Sequence, residues 1–488
     1  MKKHFKLMAA LLALLMLVSV FVACDLEIDD PVEEESTQGP DEVVPPIAKK
    51  KYNAEFYLSI LPDTNPMEYY WVEKSDGDPM DEAVYARQEK VYKWLGVEIL
   101  GQQVTGHTTY TEGFKTSVKN RDGSVDTLMT HVHSGVAGLL SEMYLQDLSE
   151  LPGIDLDQDY WNRDFMDSIA IDNNYYLGFS NYNILYTHVI AFNKEMMEQS
   201  AGSMEKSVYQ LVNDNEWTLD RMLSLAQLVS SDRTSNGKTD DDTFGLTGQQ
   251  WVPWIGFFHA SNINLVEMNE KGEYVISFMN TANEEKTSSL VNKLKEFSAS
   301  KYGYFEFPTV PGQGVPSVSV PLTSGRTLMQ LASTNGLHSF LKHKVTFGVL
   351  PYPMYDVNQK NVGYRSLQWG GYIAVPNYLT NPEMVGETLE LLAFYSDDVM
   401  VTFYEKMLGK QVADVPDDRK MLDIVWDSVC TDFGQTYLDE CPGALYFLPY
   451  VTWPGPEGKE LTSYLAGFER GSNRQLATFI KKVVKKSN

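Results

Sequence analysis

Between residues 54 and 144 the hydrophobic period switches repeatedly between two and about 3.6, and no other feature limits the fold as strongly. Ala54–Leu61 reads as a strand, and Asp81–Leu95 as a helix with Val84, Val91 and Trp94/Leu95 on one face. Val97–Val104 is a second strand, Thr111–Asn120 a helix, Val125–His131 a strand and Val136–Tyr144 a helix. Alternation at this spacing predicts an α/β fold with parallel strands and helices on both faces. Ligands of such sheets bind at the carboxyl ends of the strands.

The N-terminus has the layout of an export signal. Lys2, Lys3 and Lys6 precede an apolar run from Leu7 to Val22 that is short for a bilayer span. The run ends in Phe21-Val22-Ala23-Cys24, which resembles the bacterial lipobox, with Phe21 where leucine is usual. The expectation is cleavage after residue 23, acylation of Cys24 and a body lipid-anchored on the extracellular face of the cell membrane. The alternative is an uncleaved anchor with an incidental cysteine.

From Asp25 to about Lys50 the chain is acidic, carries four prolines and has almost no large apolar residue. Such a segment cannot bury enough surface to order itself, and reads as a disordered tether over residues 24–50. Loss of residues 1–23 removes three lysines and no acid, moving the net charge from −26 to −29. That balance argues against nucleic acid and against an electrostatically bound membrane surface. The remaining ~440 residues exceed one core and predict two domains.

Cys430 and Cys441 are the other cysteines. They read either as a disulfide in an oxidising exterior or as two buried thiols. Further along, Trp217-Thr218-Leu219-Asp220 opens a helix that buries Met222, Leu225, Ala226 and Val229. Thr218 is placed to cap it and Trp217 to pack on Met222. Phe347–Pro351 and Trp369–Val375 read as short buried strands, and Asn381-Pro382 starts the next helix.

Several separated pieces carry a resemblance. They are Asp81-Glu-Ala-Val-Tyr85 before Gly96-Val-Glu-Ile99, Leu145-Gln-Asp-Leu-Ser149, Ala191-Phe-Asn-Lys194, Trp217-Thr-Leu-Asp220, Phe347-Gly-Val-Leu-Pro351 and Met421-Leu-Asp-Ile-Val425. In this order after a lipobox, the chain resembles the extracellular solute-binding lipoproteins of ABC importers, in the sugar-binding, maltose-binding-protein-like group. The resemblance implies a type II periplasmic-binding-protein-like fold, with two α/β lobes joined by a hinge of crossing segments near 178–190, 346–372 and 412–418. Lobe 1 would comprise residues 51–178 plus 346–415, and lobe 2 residues 179–345 plus 416–488. It also implies a monomer that captures a carbohydrate, of oligosaccharide size, and delivers it to ABC transporter permease subunits without a cofactor.

The resemblance offers ligand-binding candidates. Ser180, Asn181 and Tyr182 lie before the Phe-Asn-Lys segment, and Gln250, Trp251 and Trp254 follow the Thr218 helix and its loop. His131, His133 and Ser134 follow the third strand, and Trp369 leads back to the first lobe. Aromatic faces cover the C–H face of a pyranose while amides and hydroxyls take its hydroxyl groups. Each tryptophan can equally serve packing.

Other chemistry is poorly served. The His131–His133 pair lacks a sequence-local third ligand for a metal. Asp232–Thr243 resembles an EF-hand-like calcium loop, with Asp232, Asn236, Gly237 and Asp240 at positions one, five, six and nine. Thr234 and Thr243 stand at positions three and twelve, so a turn without metal is expected. There is no G-x-S-x-G, no P-loop and no G-x-G-x-x-G. The rival readings are a membrane-tethered glycoside hydrolase-like enzyme using paired carboxylates, and an adhesin without a small ligand.

Overall fold

A computed structural model describes residues 44–61, 69–131, 135–183, 186–200, 204–249, 252–306, 318, 320–407, 415–437, 440 and 469–487, less positions 234, 236, 279, 281 and 344. The expected signal, Cys24 and residues 25–43 of the expected tether lie outside these residues, whereas its last residues pack on the body: Ile47 is buried, its carbonyl accepts from the Trp94 indole N–H at 2.8 Å, and Lys50 pairs with Glu383 and Glu387, so the tether ends before residue 47. No helix among the described residues is long and apolar enough to cross a membrane.

The strand–helix alternation builds a first sheet of four strands. Ala54–Ile60 (β1) pairs in parallel with Val97–Gln103 (β2) and with Thr127–Thr130 (β3). Tyr372–Ala374 (β12), arriving from far along the chain, closes the other edge antiparallel to β3. The helix Pro79–Leu95 is bounded by local chemistry at both ends. Asp78 accepts a hydrogen bond from the Met80 N–H at 2.8 Å, and Gly96 takes the left-handed φ of 64° that ends the helix. Its Met80, Val84, Val91 and Leu95 side chains are buried.

The second sheet has five strands in the order β10-β4-β9-β5-β8. Phe244–Gln249 (β5), Gly303–Glu306 (β8) and Thr327–Ser333 (β9) are mutually parallel; His188–Asn193 (β4) lies antiparallel to β9, and Phe347–Leu350 (β10), antiparallel to β4, forms the edge. Each sheet is thus a parallel triad with an antiparallel neighbour drawn from elsewhere in the chain. Two small pairs accompany them: Val266–Met268 (β6) with Tyr274–Ile276 (β7), and Ser366–Leu367 (β11) with Val429–Cys430 (β13).

One boundary differs from the sequence reading. Phe347–Leu350, assigned there to lobe 1, pairs residue for residue with Asn193–Ile190 of the second sheet. The second crossing is therefore shorter than 346–372. The cause is local: β4 is buried along its whole length and needs a partner on both sides, and the apolar run at 347–350 supplies the outer one.

The Ala191-Phe-Asn-Lys194 segment has a structural explanation. The Asn193 side-chain oxygen accepts from the Met196 N–H at 3.1 Å, starting the helix Lys194–Ser200. The Lys194 ammonium pairs with Asp418, a fully buried carboxylate that also accepts from the Tyr209 hydroxyl at 2.5 Å. Asp418 sits in the first turn of the helix Pro416–Asp427, so the pair ties the chain after the third expected crossing to the second sheet. Removing one partner of a buried pair leaves an uncompensated charge. Lys194→Met is expected to cost about 3–5 kcal/mol of unfolding free energy, and adding Asp418→Leu should recover much of it. Denaturant unfolding of both variants checks this; a loss below about 1 kcal/mol in the single variant would contradict the role given to the pair.

Candidate functional site

The two sheets are connected by chain segments that hydrogen-bond to each other. Gly178 and Ile373 exchange N–H···O bonds at 2.8 and 3.0 Å, and Thr187 bridges Gln368 further along. Between these points the Asn183 amide nitrogen donates to the Gly178 and Gly371 carbonyls. Gln368 is the centre of this layer. Its amide nitrogen donates to the Gly370 carbonyl at 2.9 Å and its amide oxygen accepts from the Thr187 hydroxyl at 3.1 Å. Its backbone carbonyl accepts from the Gln435 amide at 3.0 Å. All of these side chains are buried and, apart from the Gln435 amide oxygen, which has no partner among the described residues, their polar groups are paired, so the crossing is a polar ladder rather than loose linkers.

His131 ends β3 next to this ladder. Its ring stands edge to face with Trp369, centroids 6.1 Å apart, and both residues are buried. Gly370, with φ +92°, passes directly beneath: a Cβ there would lie 2.0 Å from His131 Cδ2. The Trp369-Gly370 step therefore requires glycine both for its conformation and for this approach. His131 and Trp369, two candidates distant in sequence, are brought together at the carboxyl edge of the first sheet.

Tyr182 is a buttress and not an open surface. It is 1% exposed, its hydroxyl donates to the Tyr70 carbonyl at 3.3 Å, and the Arg87 guanidinium lies over its ring at 4.5 Å. Arg87 is itself buried and donates to the Tyr69 and Tyr70 carbonyls and to the Ser396 hydroxyl, all at 3.0 Å. Burial lowers its pKa to about 10, which leaves it a cation at neutral pH. Among the described residues it has no carboxylate partner, so carbonyl dipoles and the ring face carry the charge.

Trp254 belongs to the core. It is 2% exposed on the helix Val252–Ala260, edge to face with Phe305 at 5.3 Å. Nearby, His188 and His259 are buried, and burial drives both imidazole pKa values down to about 3, so both rings are neutral.

Ser180 is buried and accepts from the Tyr182 N–H at 3.2 Å, whereas the half-buried Asn181 donates its amide to Asp397 at 2.7 Å. These two line a cleft of about 700 Å³ that none of the strand-end residues enters. It is bounded by the stretch 157–164, by residues 397–404 and by the Arg419–Asp427 face of the helix Pro416–Asp427. Its aromatic wall is Trp161, Tyr404 and Trp426, and sequence does not connect them because the 157–164 stretch lies more than 200 residues from the other two. Only the i, i+4 spacing of Asp423 and Asp427 was visible beforehand.

His133, Ser134, Gln250, Trp251, Asn236 and Cys441 lie outside the described residues. Cys430 is a free, partly exposed thiol among those described. In the 232–243 loop, Asp232 and Asp240 are exposed. Asp232 accepts from the Gly237 N–H at 3.2 Å, and Asp242 accepts from Arg233 N–H at 2.8 Å and Thr239 N–H at 3.0 Å. The loop is thereby organised through its own carboxylates.

The placement of Trp254 separates packing from ligand contact. Trp254→Ala is expected to cost about 3–5 kcal/mol of stability, the range for a large aromatic removed from a core. Unfolding midpoints measured by circular dichroism check this; a variant as stable as the parent would place the ring in a cleft instead.

No protein-family model and no curated protein matches the sequence. Solved structures do match in fold. The GacH receptor of Streptomyces glaucescens, described unliganded and with acarbose, aligns at 13% identity over 88% of this chain and 98% of its own, with a TM-score of 0.53. An ABC substrate-binding protein from Listeria monocytogenes in complex with cycloalternan aligns at 13% identity over 90% and 99%, TM-score 0.52. A cyclo/maltodextrin-binding protein complexed with maltotetraose aligns at 10% identity over 88% and 97%, TM-score 0.53. With its paired sheets and hydrogen-bonded crossings, this chain has the α/β, two-lobed fold of the type II periplasmic binding proteins.

Proposed function

We propose that this chain is the extracellular substrate-binding component of an ABC importer. It captures a carbohydrate, of oligosaccharide size, between its two lobes and delivers it to membrane permease subunits. The observation that carries this reading is the crossing ladder, which joins two parallel triads by paired segments buried between them. A connection of that kind supports rotation of one lobe against the other, and a ligand touching both lobes favours the closed arrangement because only that state makes both sets of contacts. The matched proteins with acarbose, cycloalternan and maltotetraose support carbohydrate as the ligand class.

In this reading the ligand lies at the carboxyl edges of the triads, with Gln250, Trp251, His133 and Ser134 as contacts, while the buried His131–Trp369 pair shapes the edge of the first sheet. Lobe 1 holds residues 51–178 and the return from β12 to about 415, and lobe 2 the sheet from β4 to β10 with the remainder of the chain. The protein works as a monomer without a cofactor, performs no chemistry on the sugar, and is held at the extracellular face of the membrane through acylated Cys24 and the acidic tether.

A thermal-shift screen against mono- and oligosaccharides, followed by calorimetry, tests the reading. A cognate sugar at a hundred times its Kd should add about 2.7 kcal/mol of apparent stability and be recovered unchanged. Cleavage of the sugar would make the protein an enzyme, and no response to any glycan would remove the carbohydrate assignment.

A further inference from the structure

The helix Glu469–Ser487 holds six of the chain's 40 lysines and arginines but one of its 66 acids, so its charge opposes that of the chain as a whole. One side of it is fixed to the body. Leu476, Phe479 and Val483 are buried, Phe479 lies 5.4 Å from the Tyr437 ring, and Asn473 accepts from the Ile276 N–H of β7 at 2.8 Å. Arg470, Arg474 and Lys481, four and seven residues apart, fall on the opposite side with Lys482 on its flank, and all four are exposed.

These cations are unspent. None of the four makes an ion pair among the described residues. The helix meets a carboxylate through the neutral Gln475 instead, whose amide donates to Glu440 at 3.3 Å. Like charges one turn apart, as Arg470 and Arg474 are, weaken a helix, so the helix's own stability does not account for the pair. At physiological ionic strength charges more than about 8 Å away are largely screened. A surface brought against this side therefore meets its cations and not the negative sum of the chain, which argued against membrane contact for the protein overall.

We propose that this side of the C-terminal helix is a docking surface for the anionic headgroups of a lipid bilayer. From Arg470 to Lys481 the row runs about 16 Å along a convex helix, which suits a flat surface of many phosphates better than one enclosed anion. The proposal adds an orientation to the membrane-held reading above and rests on it for its setting. A flexible tether over residues 24–46 has a root-mean-square span of about 25–30 Å, which keeps the body close enough for a weak attraction to act.

The test uses residues 24–488 with Cys24→Ser, so that no acyl chain contributes, sedimented with vesicles of phosphatidylglycerol and phosphatidylcholine or of phosphatidylcholine alone. Binding should appear on the anionic vesicles only and fall at least tenfold between about 50 and 500 mM salt. Each cation close to an anionic surface is worth about fivefold in partitioning, so Lys481→Glu/Lys482→Glu should lose about tenfold or more. Lys301→Glu/Lys360→Glu, exposed lysines elsewhere with the same change in net charge, should bind like the parent. Both variants should keep the parent's unfolding midpoint and its response to sugar. No binding to anionic vesicles, equal binding to neutral ones, or equal losses in the two variants would overturn the proposal and leave the importer reading standing. Self-association at low salt that Lys481→Glu/Lys482→Glu removes, without vesicle binding, would assign the surface to a second copy and likewise overturn it.

Discussion

The Gln368 side chain is the hub on which the two-lobed arrangement depends. Its amide engages Thr187 and Asn183 on the outgoing crossing and Gly370 on its own, while the Gln368 backbone carbonyl accepts from Gln435 near the C-terminal part of the chain. A buried amide in an apolar setting is expensive unless its groups are met; here the oxygen is met by Thr187 and the nitrogen by the Gly370 and Asn183 carbonyls. The ladder therefore fixes which residues of the two crossings face one another. His131, Trp369 and Gly370 take their places at the sheet edge as a consequence, because β12 enters its pairing with β3 directly after this point.

Two buried charges hold the flanks of that connection in different ways. Asp418 is neutralised by Lys194 and a phenol, an arrangement spread over three elements. Arg87 is met by carbonyl oxygens, a hydroxyl and a tyrosine face instead of a carboxylate. Guanidinium tolerates this because it is more weakly hydrated than an ammonium and stacks on rings. Tyr182 is thereby immobilised, which explains how a residue in the first crossing can be conformationally fixed although its neighbours bridge two sheets.

Local signals were the most legible part of the sequence. The caps at Thr218 and Asn381, the N1 proline at 382 and the buried role of Trp217 all hold in the structure, because each depends on atoms within a few residues. Trp217 even satisfies its indole N–H on the Pro351 carbonyl. Strand partners were less legible. The run at 347–350 is apolar whichever sheet it joins, and only the need of β4 for an outer neighbour decides the matter. Trp254 presents the same ambiguity: a tryptophan near the start of a helix has one sequence pattern whether it packs on Phe305 or faces a cleft. The cleft walled by Trp161, Tyr404 and Trp426 was illegible for a different reason, since the stretch around residue 160 meets those around 400 and 423 only in the fold.

The central claim is that paired crossings let the lobes close on a carbohydrate. Small-angle X-ray scattering of the protein with and without a saturating oligosaccharide, binding being established by calorimetry on the same sample, tests it most directly. The account predicts a smaller radius of gyration in the bound state, because contacts from both lobes are available only when the cleft shuts. An unchanged radius with confirmed binding would contradict hinge closure as the means of capture.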